Sequence, residues 1–169
     1  MLHYIKFWIR FALQQQNEDR LMSAVMQTFP ERRRGTAALI DELRKERHEV
    51  WAMYCRIAEL KPFSAGKKVQ TRLSEFSQLL VDYVSLWHFG IYERLLSGNE
   101  KRQALLSFAN ELYPELSRTT DAAIVFNDKY EHAKNHLTPS ALEQDLSVLG
   151  EHLAIRMTLE DKLCNMLLN

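Results

Sequence analysis

Leu79-Leu-Val-Asp-Tyr-Val-Ser-Leu-Trp-His-Phe-Gly-Ile-Tyr-Glu-Arg-Leu-Leu96 decides the reading of this chain, because it is apolar on two sides of a helix. An ordinary bundle helix has one apolar stripe, since only the side turned to the core gains from leaving water. At about 100° per residue, Leu73, Phe76, Leu80, Tyr83, Trp87 and Ile91 share one side. Leu79, Leu86, Phe89 and Leu96 gather around the opposite side, with Asp82 and Glu93 among them. Such a helix is either the fully buried centre of a bundle or one that keeps a second face for a partner. The carboxylates of Asp82 and Glu93 favour the partner, because an unpaired buried carboxylate is strongly disfavoured. A paired, buried Asp82 would serve the first reading equally.

The rest of the chain supplies the bundle. Its 169 residues, 46% hydrophobic and 26% charged, suit one globular domain with a substantial core. With only 5 Gly and 4 Pro it lacks the turn residues of a many-stranded protein, and its Leu, Ala, Glu, Arg and Gln content favours helices. The first main helix is expected from the Thr36 cap to Leu60, on a stripe of Leu39, Leu43, Val50, Tyr54 and Ile57, before Pro62 stops it. The second runs over about 68–96 and ends at Ser97-Gly98-Asn99. A third region covers about 100–134, with Pro114 predicting a kink or two stacked segments. The fourth opens at Thr138-Pro139 and carries Leu142, Leu146, Leu149, Leu153, Met157, Leu163 and Leu167. The expected fold is all-α: an up-and-down antiparallel four-helix bundle with a short extra N-terminal helix.

Residues 1–30 stand apart as an extension to a bundle domain over 31–169. Leu2, Ile5, Trp8, Ile9 and Leu13 share one helical side, with Lys6 and Arg10 elsewhere. Apolar runs of no more than three residues cannot span a bilayer or form a secretory signal. Attachment to a membrane surface, packing on the bundle and an early start codon are the readings left open, and no membrane role is expected. From Gln14 to Gly35 the chain is polar and ends in Pro30-Glu-Arg-Arg-Arg-Gly35, which reads as a helix-poor, solvated connector.

Formal net charge is zero, which removes a whole-molecule attraction to nucleic acid. The distribution is uneven: residues 1–72 hold 14 Lys+Arg against 8 Asp+Glu, and residues 73–169 hold 8 against 14. An acidic half is better placed to receive a basic partner than to grip phosphates. Cys55 and Cys164 have no metal-ligand spacing and read as reduced core residues of a cytoplasmic protein.

Catalytic patterns are missing from the sequence. Di-iron carboxylate bundles use Glu-x-x-His, and no histidine here has Glu three residues before it. The His132/His136 pair offers one metal edge without an evident second pair of ligands, and surface histidines are the plainer reading. There is neither a Gly-x-Ser-x-Gly elbow nor a phosphate loop. Glu160 and Asp161, being adjacent, point about 100° apart on a helix and are no catalytic pair. His88 reads as a polar group hydrogen-bonded at the bundle edge rather than a ligand or pH switch. Arg47, on the stripe of the first helix, either snorkels outward or meets a partner. No enzyme activity, cofactor, metal or small-molecule substrate is expected.

Leu80-Val-Asp-Tyr83, then His88-Phe89, then Ile91-Tyr-Glu-Arg94 resembles the most recognisable stretch of the Rsd/AlgQ family, which binds the housekeeping sigma factor of bacterial RNA polymerase. Glu31-Arg-Arg-Arg-Gly35, Leu39-Ile-Asp41 with Arg47, Lys61-Pro62 and Leu159-Glu-Asp-Lys-Leu163 fall in order around it, so the resemblance covers roughly residues 31–168. It implies a cytoplasmic anti-sigma factor, a helical bundle that docks on the C-terminal, DNA-binding domain of the sigma factor and does not bind DNA directly. It also implies that Asp82 belongs to the docking surface. The expected partner-binding residues are Asp82, Leu86, Phe89 and Glu93, with Arg47 and the region around Glu160. Two departures stand out: Asp41-Glu42-Leu43 replaces the family's Asp-Arg-Trp, and Leu86-Trp87 are larger than usual before the His-Phe pair. The alternatives are a bundle adaptor with another regulatory partner and a bundle metalloenzyme.

Overall fold

The computed structural model describes residues 29–96, 100–131 and 138–168. The chain divides into two compact units, Met1–Thr36 and Ala37–Asn169, and of the first only the helical residues 29–36 are described. The expected N-terminal amphipathic helix, the Ser97-Gly98-Asn99 stop and the His132/His136 pair lie outside the described residues.

Helix α1 (Phe29–Ala58) begins earlier than the expected Thr36 cap, so the arginine run is helical and not a connector. Pro30 sits in the first turn, where a missing amide costs nothing. Helix α2 (Lys67–Ser85) passes without a break into a π-helical segment, Leu86–Tyr92, and one last α-turn, Glu93–Leu96. Helix α3 (Gln103–Tyr130) runs unbroken through Pro114, against the expected kink or two stacked segments. Pro114 and Asn110, whose carbonyl loses its donor, are both exposed, so water can serve that carbonyl. Helix α4 (Pro139–Leu168) opens as expected, with the Leu142 amide donating to the Thr138 carbonyl at 3.0 Å.

Cross-helix contacts fix the order and directions within the second unit. Leu39 of α1 lies against Gly90, so α1 and α2 run antiparallel as Glu46 comes level with Asp82. Phe76 meets Phe126 edge-on and Tyr92 stacks on Tyr113, which makes α2 and α3 antiparallel. Arg156 reaches Thr119 and Thr120, and Lys129 pairs with Asp145, giving the same for α3 and α4. Tyr54 to Leu146 and Arg47 to Asp161 close the ring between α4 and α1. Four antiparallel neighbours in a ring are the up-and-down bundle, and among the described residues there is no strand.

The core is one continuous cluster drawn from all four helices. On α1 its face is Ile40, Leu43, Val50, Met53 and Ile57, while Leu39 and Tyr54, expected on it, are only half-buried. Leu43, one of the departures from the family pattern, is a core position, so its change repacks the interior and leaves the surface alone. Cys164 is buried and its thiol is pushed up to about 11, by burial first and by Glu160 second. Cys55 is exposed, which corrects its core reading: it follows Tyr54 round to the solvent side of α1. Among the described residues no helix is long and apolar enough to cross a membrane.

Candidate functional site

The two faces of the second helix are both present. Leu73, Phe76, Leu80 and Tyr83 are fully buried, and Trp87 and Ile91 nearly so. Across the helix Asp82 is exposed, and Leu79, Leu86, Phe89 and Glu93 are half-buried. The Asp82 carboxylate accepts from Gln78 Nε2 at 3.1 and 3.2 Å and makes no ion pair among the described residues. Asp82 is therefore a surface acid, and the reading of it as a paired core residue is excluded. The side chain of Leu96 lies outside the described residues.

The π segment sits in the middle of this surface. Its wider turns carry amide-to-carbonyl bonds five residues apart, as from Glu93 to His88. That winding keeps Trp87, Ile91 and Tyr92 on the core side together, while Leu86, His88 and Phe89 stay half-exposed. His88 packs edge-on against Phe89 and stacks on Tyr92. Burial lowers its pKa, with Glu93 opposing and Arg156 adding to the effect. A cavity of about 80 Å³ lies between the π segment and α3, lined by Trp87, His88, Tyr92, Tyr113, Ser117 and Thr120 among others.

Helix α1 adds a carboxylate that the sequence reading missed. Glu46 has its pKa raised, by partial burial first and then by the charges of Glu49 and Asp82, with Glu42 contributing less. Lys45 opposes the shift, and the acids that raise it give this part of the surface a negative field. Leu39 completes the apolar part, for a Cβ at Gly90 would stand 3.1 Å from Leu39 Cδ1. The surface thus spans two helices: Glu46 and Asp82 at its acidic centre, and Leu39, Leu79, Leu86 and Phe89 around them.

Two expected contact residues are occupied elsewhere. Arg47 donates to Asp161 Oδ1 at 2.6 Å and to the Met157 carbonyl at 3.3 Å, so it clamps α1 to α4. Its pKa is raised, because the Asp161 bond and charge outweigh the burial that opposes them. Glu160 is fully buried, which corrects its placement on a partner surface. Its Oε2 accepts from the Tyr83 hydroxyl at 2.5 Å, and its Oε1 pairs with Arg156 Nε at 2.7 Å. Arg156 Nη1 in turn donates to Thr119 and Thr120, and its guanidinium lies over the Tyr83 ring. Among the described residues no group of three or more His, Cys, Asp and Glu side chains is placed to hold a metal ion.

Residues 22–168 match the family described as regulator of RNA polymerase sigma(70) subunit, Rsd/AlgQ. The chain belongs to the Rsd/AlgQ family. That is a family of sigma-factor regulators and not of enzymes. Similar relatives named regulator of sigma D include one from Enterobacter sp. strain 638, 36% identical over 144 residues that cover 82% of this chain and 85% of the relative. Those from Shigella dysenteriae serotype 1 and Escherichia coli O139:H28 are each 35% identical over 150 residues, covering 85% of this chain and 92% of the relative. No solved structure matches. Asp82, the acid of the Leu80-Val-Asp-Tyr83 stretch, is exposed on the side of α2 away from the core.

Proposed function

We propose that this chain is a cytoplasmic anti-sigma factor that docks the α1–α2 surface on the C-terminal, DNA-binding domain of the housekeeping sigma factor. The observation that carries the reading is Asp82, exposed and without an ion pair among the described residues, beside the half-buried apolar side chains Leu79, Leu86 and Phe89 on the face opposite the core. A protein domain that contacts DNA phosphates presents cations. An acidic centre attracts those cations, and the apolar rim supplies the area whose burial holds the complex.

Asp82, Glu46, Leu86, Phe89 and Glu93 are the contact residues. Arg47 serves them indirectly, by holding α1 against α4. The mechanism is sequestration: a sigma factor whose C-terminal domain is covered cannot present it to promoter DNA, and alternative sigma factors compete better for core polymerase. No bond is made or broken, and no cofactor takes part. The acidic surface repels phosphate, so the chain does not bind DNA itself.

The test is titration of the full chain with two forms of the sigma factor, full-length and lacking its C-terminal domain, at low and at physiological salt. Saturable binding that salt weakens, and that disappears with the domain, supports the reading. Equal binding of both forms would move the contact to another part of the sigma factor.

A further inference from the structure

The chain of contacts from Tyr83 through Glu160 to Arg156 joins three helices inside the bundle and has no part in the docking surface as such. We propose that Tyr83, Glu160 and Arg156 are positioning residues for that surface: a buried brace that fixes the rotation of α2 just before it widens into π winding, so that Asp82 and Leu86 face outward together. The proposal rests on the docking reading above.

Stability alone does not call for such a brace. Well-packed apolar side chains of similar volume commonly serve a bundle core as well as a buried ion pair or better, and fixing one arrangement among several is the best-attested use of such groups. A device of that kind suits α2. Its core side, with Leu80, Trp87 and Ile91, is held by contacts that are only weakly directional. The π segment next to it has a small cavity at its flank, where His88 and Tyr92 face Tyr113 across a gap. Rotation of α2 by a fraction of a turn would carry Asp82 away from Glu46 and turn Leu86 toward the interior.

The hydrogen bond from Tyr83 is directional where dispersion is not. Tyr83 directly follows Asp82, so fixing one fixes the other about 100° around the helix. Glu160 cannot follow a turning Tyr83, because Arg156 holds it one turn away on α4. Arg156 is itself tied to α3 by Thr119 Oγ1 at 3.2 Å and Thr120 Oγ1 at 2.7 Å. Nε, Nη2 and Glu160 Oε1 are buried without a well-aligned hydrogen bond, so Glu160 and Arg156 are joined by charge, and the guanidinium is oriented by its bonds from Nη1 to the two threonines and by the Tyr83 ring. The brace therefore refers the rotation of α2 to two other helices.

Full-length sigma factor titrated into the full chain, well below the melting temperature, separates positioning from simple stability. Tyr83→Phe keeps the ring and removes the tie; it is expected to weaken binding about five- to tenfold with helix content unchanged. Combined with Asp82→Ala it should cost a smaller factor than it does alone, because the acid is part of what the brace positions and only the share carried by Leu86 is left to lose. Thr120→Val, a milder change at the far end, should weaken binding in the same direction, and Thr120→Ser should restore it. Leu142→Ala, a core truncation outside the surface, should lower the melting temperature and leave affinity unchanged. Wild-type affinity in both Tyr83→Phe and Thr120→Val overturns the brace while leaving the docking reading in place. The same holds if Tyr83→Phe costs an equal factor with Asp82 already removed. Failure of the wild-type chain to bind sigma overturns the docking reading and the brace together.

Discussion

Tyr54 stands over Gly150: its hydroxyl donates to the Leu146 carbonyl at 3.0 Å, and a Cβ built on Gly150 would collide with the same oxygen. It is the second side-chain-to-backbone bond between α1 and α4 described above, after that from Arg47 to the Met157 carbonyl. The phenol cannot easily move aside, because it stacks on Trp51 with ring centres 5.2 Å apart.

Gly150→Ala should therefore destabilise the fold by about 1–3 kcal/mol, the usual cost of forcing extra volume into a packed site. The sign is informative, since the same substitution in an unobstructed helix stabilises by about 0.8–1 kcal/mol. Urea denaturation of the two proteins checks it, and a variant as stable as the parent would mean that the contact yields freely.

Glu160→Gln leaves the Arg156 charge buried without its counter-ion, and a loss on the order of 3–5 kcal/mol is expected. Replacing both partners, Arg156→Met with Glu160→Leu, should recover most of that stability, because no charge is then stranded. If the double replacement is as damaging as the single, the cost lies in packing and not in the unpaired charge. Calorimetric melting of the three proteins separates these outcomes.

Asp145 contributes to the slope of the acid limb of stability. Burial pushes its pKa up, but hydrogen bonds from Lys129 and Tyr130 outweigh that and hold it below the usual carboxylate range. A group depressed in the folded state stabilises above its unfolded value of about 3.9 and loses that contribution as pH falls through the lower folded value. Asp145→Asn should lower stability near neutrality and flatten the fall between about pH 5 and about pH 2. Denaturant titrations across that range measure both effects, and an unchanged slope would remove Asp145 as a source of it.

The buried side of α2 was legible because a period near 3.6 sorts Leu73, Phe76, Leu80, Tyr83, Trp87 and Ile91 onto one face, and all six are buried. The π winding was not, since a uniform period assumes one kind of turn, and the wider turn is chosen by tertiary packing that also buries Tyr92. Glu160 was expected among the partner-binding residues toward the end of the fourth helix, whereas a charged residue is fully buried only when paired, as it is here with Arg156. A signal for its burial was present: Leu153, Arg156, Glu160 and Leu163 continue one stripe at spacings of three and four, with opposite charges side by side. Glu46 was missed because its value comes from Asp82 on another helix, and no pattern within α1 reveals which helix lies alongside.

The most direct test of the docking surface is the affinity of Asp82→Ala for full-length housekeeping sigma factor, measured beside its melting temperature. Asp82 is exposed and among the described residues its carboxylate bonds Gln78 alone, so the account predicts a binding loss of more than about 1 kcal/mol with melting essentially unchanged. Affinity equal to that of the parent chain would contradict it.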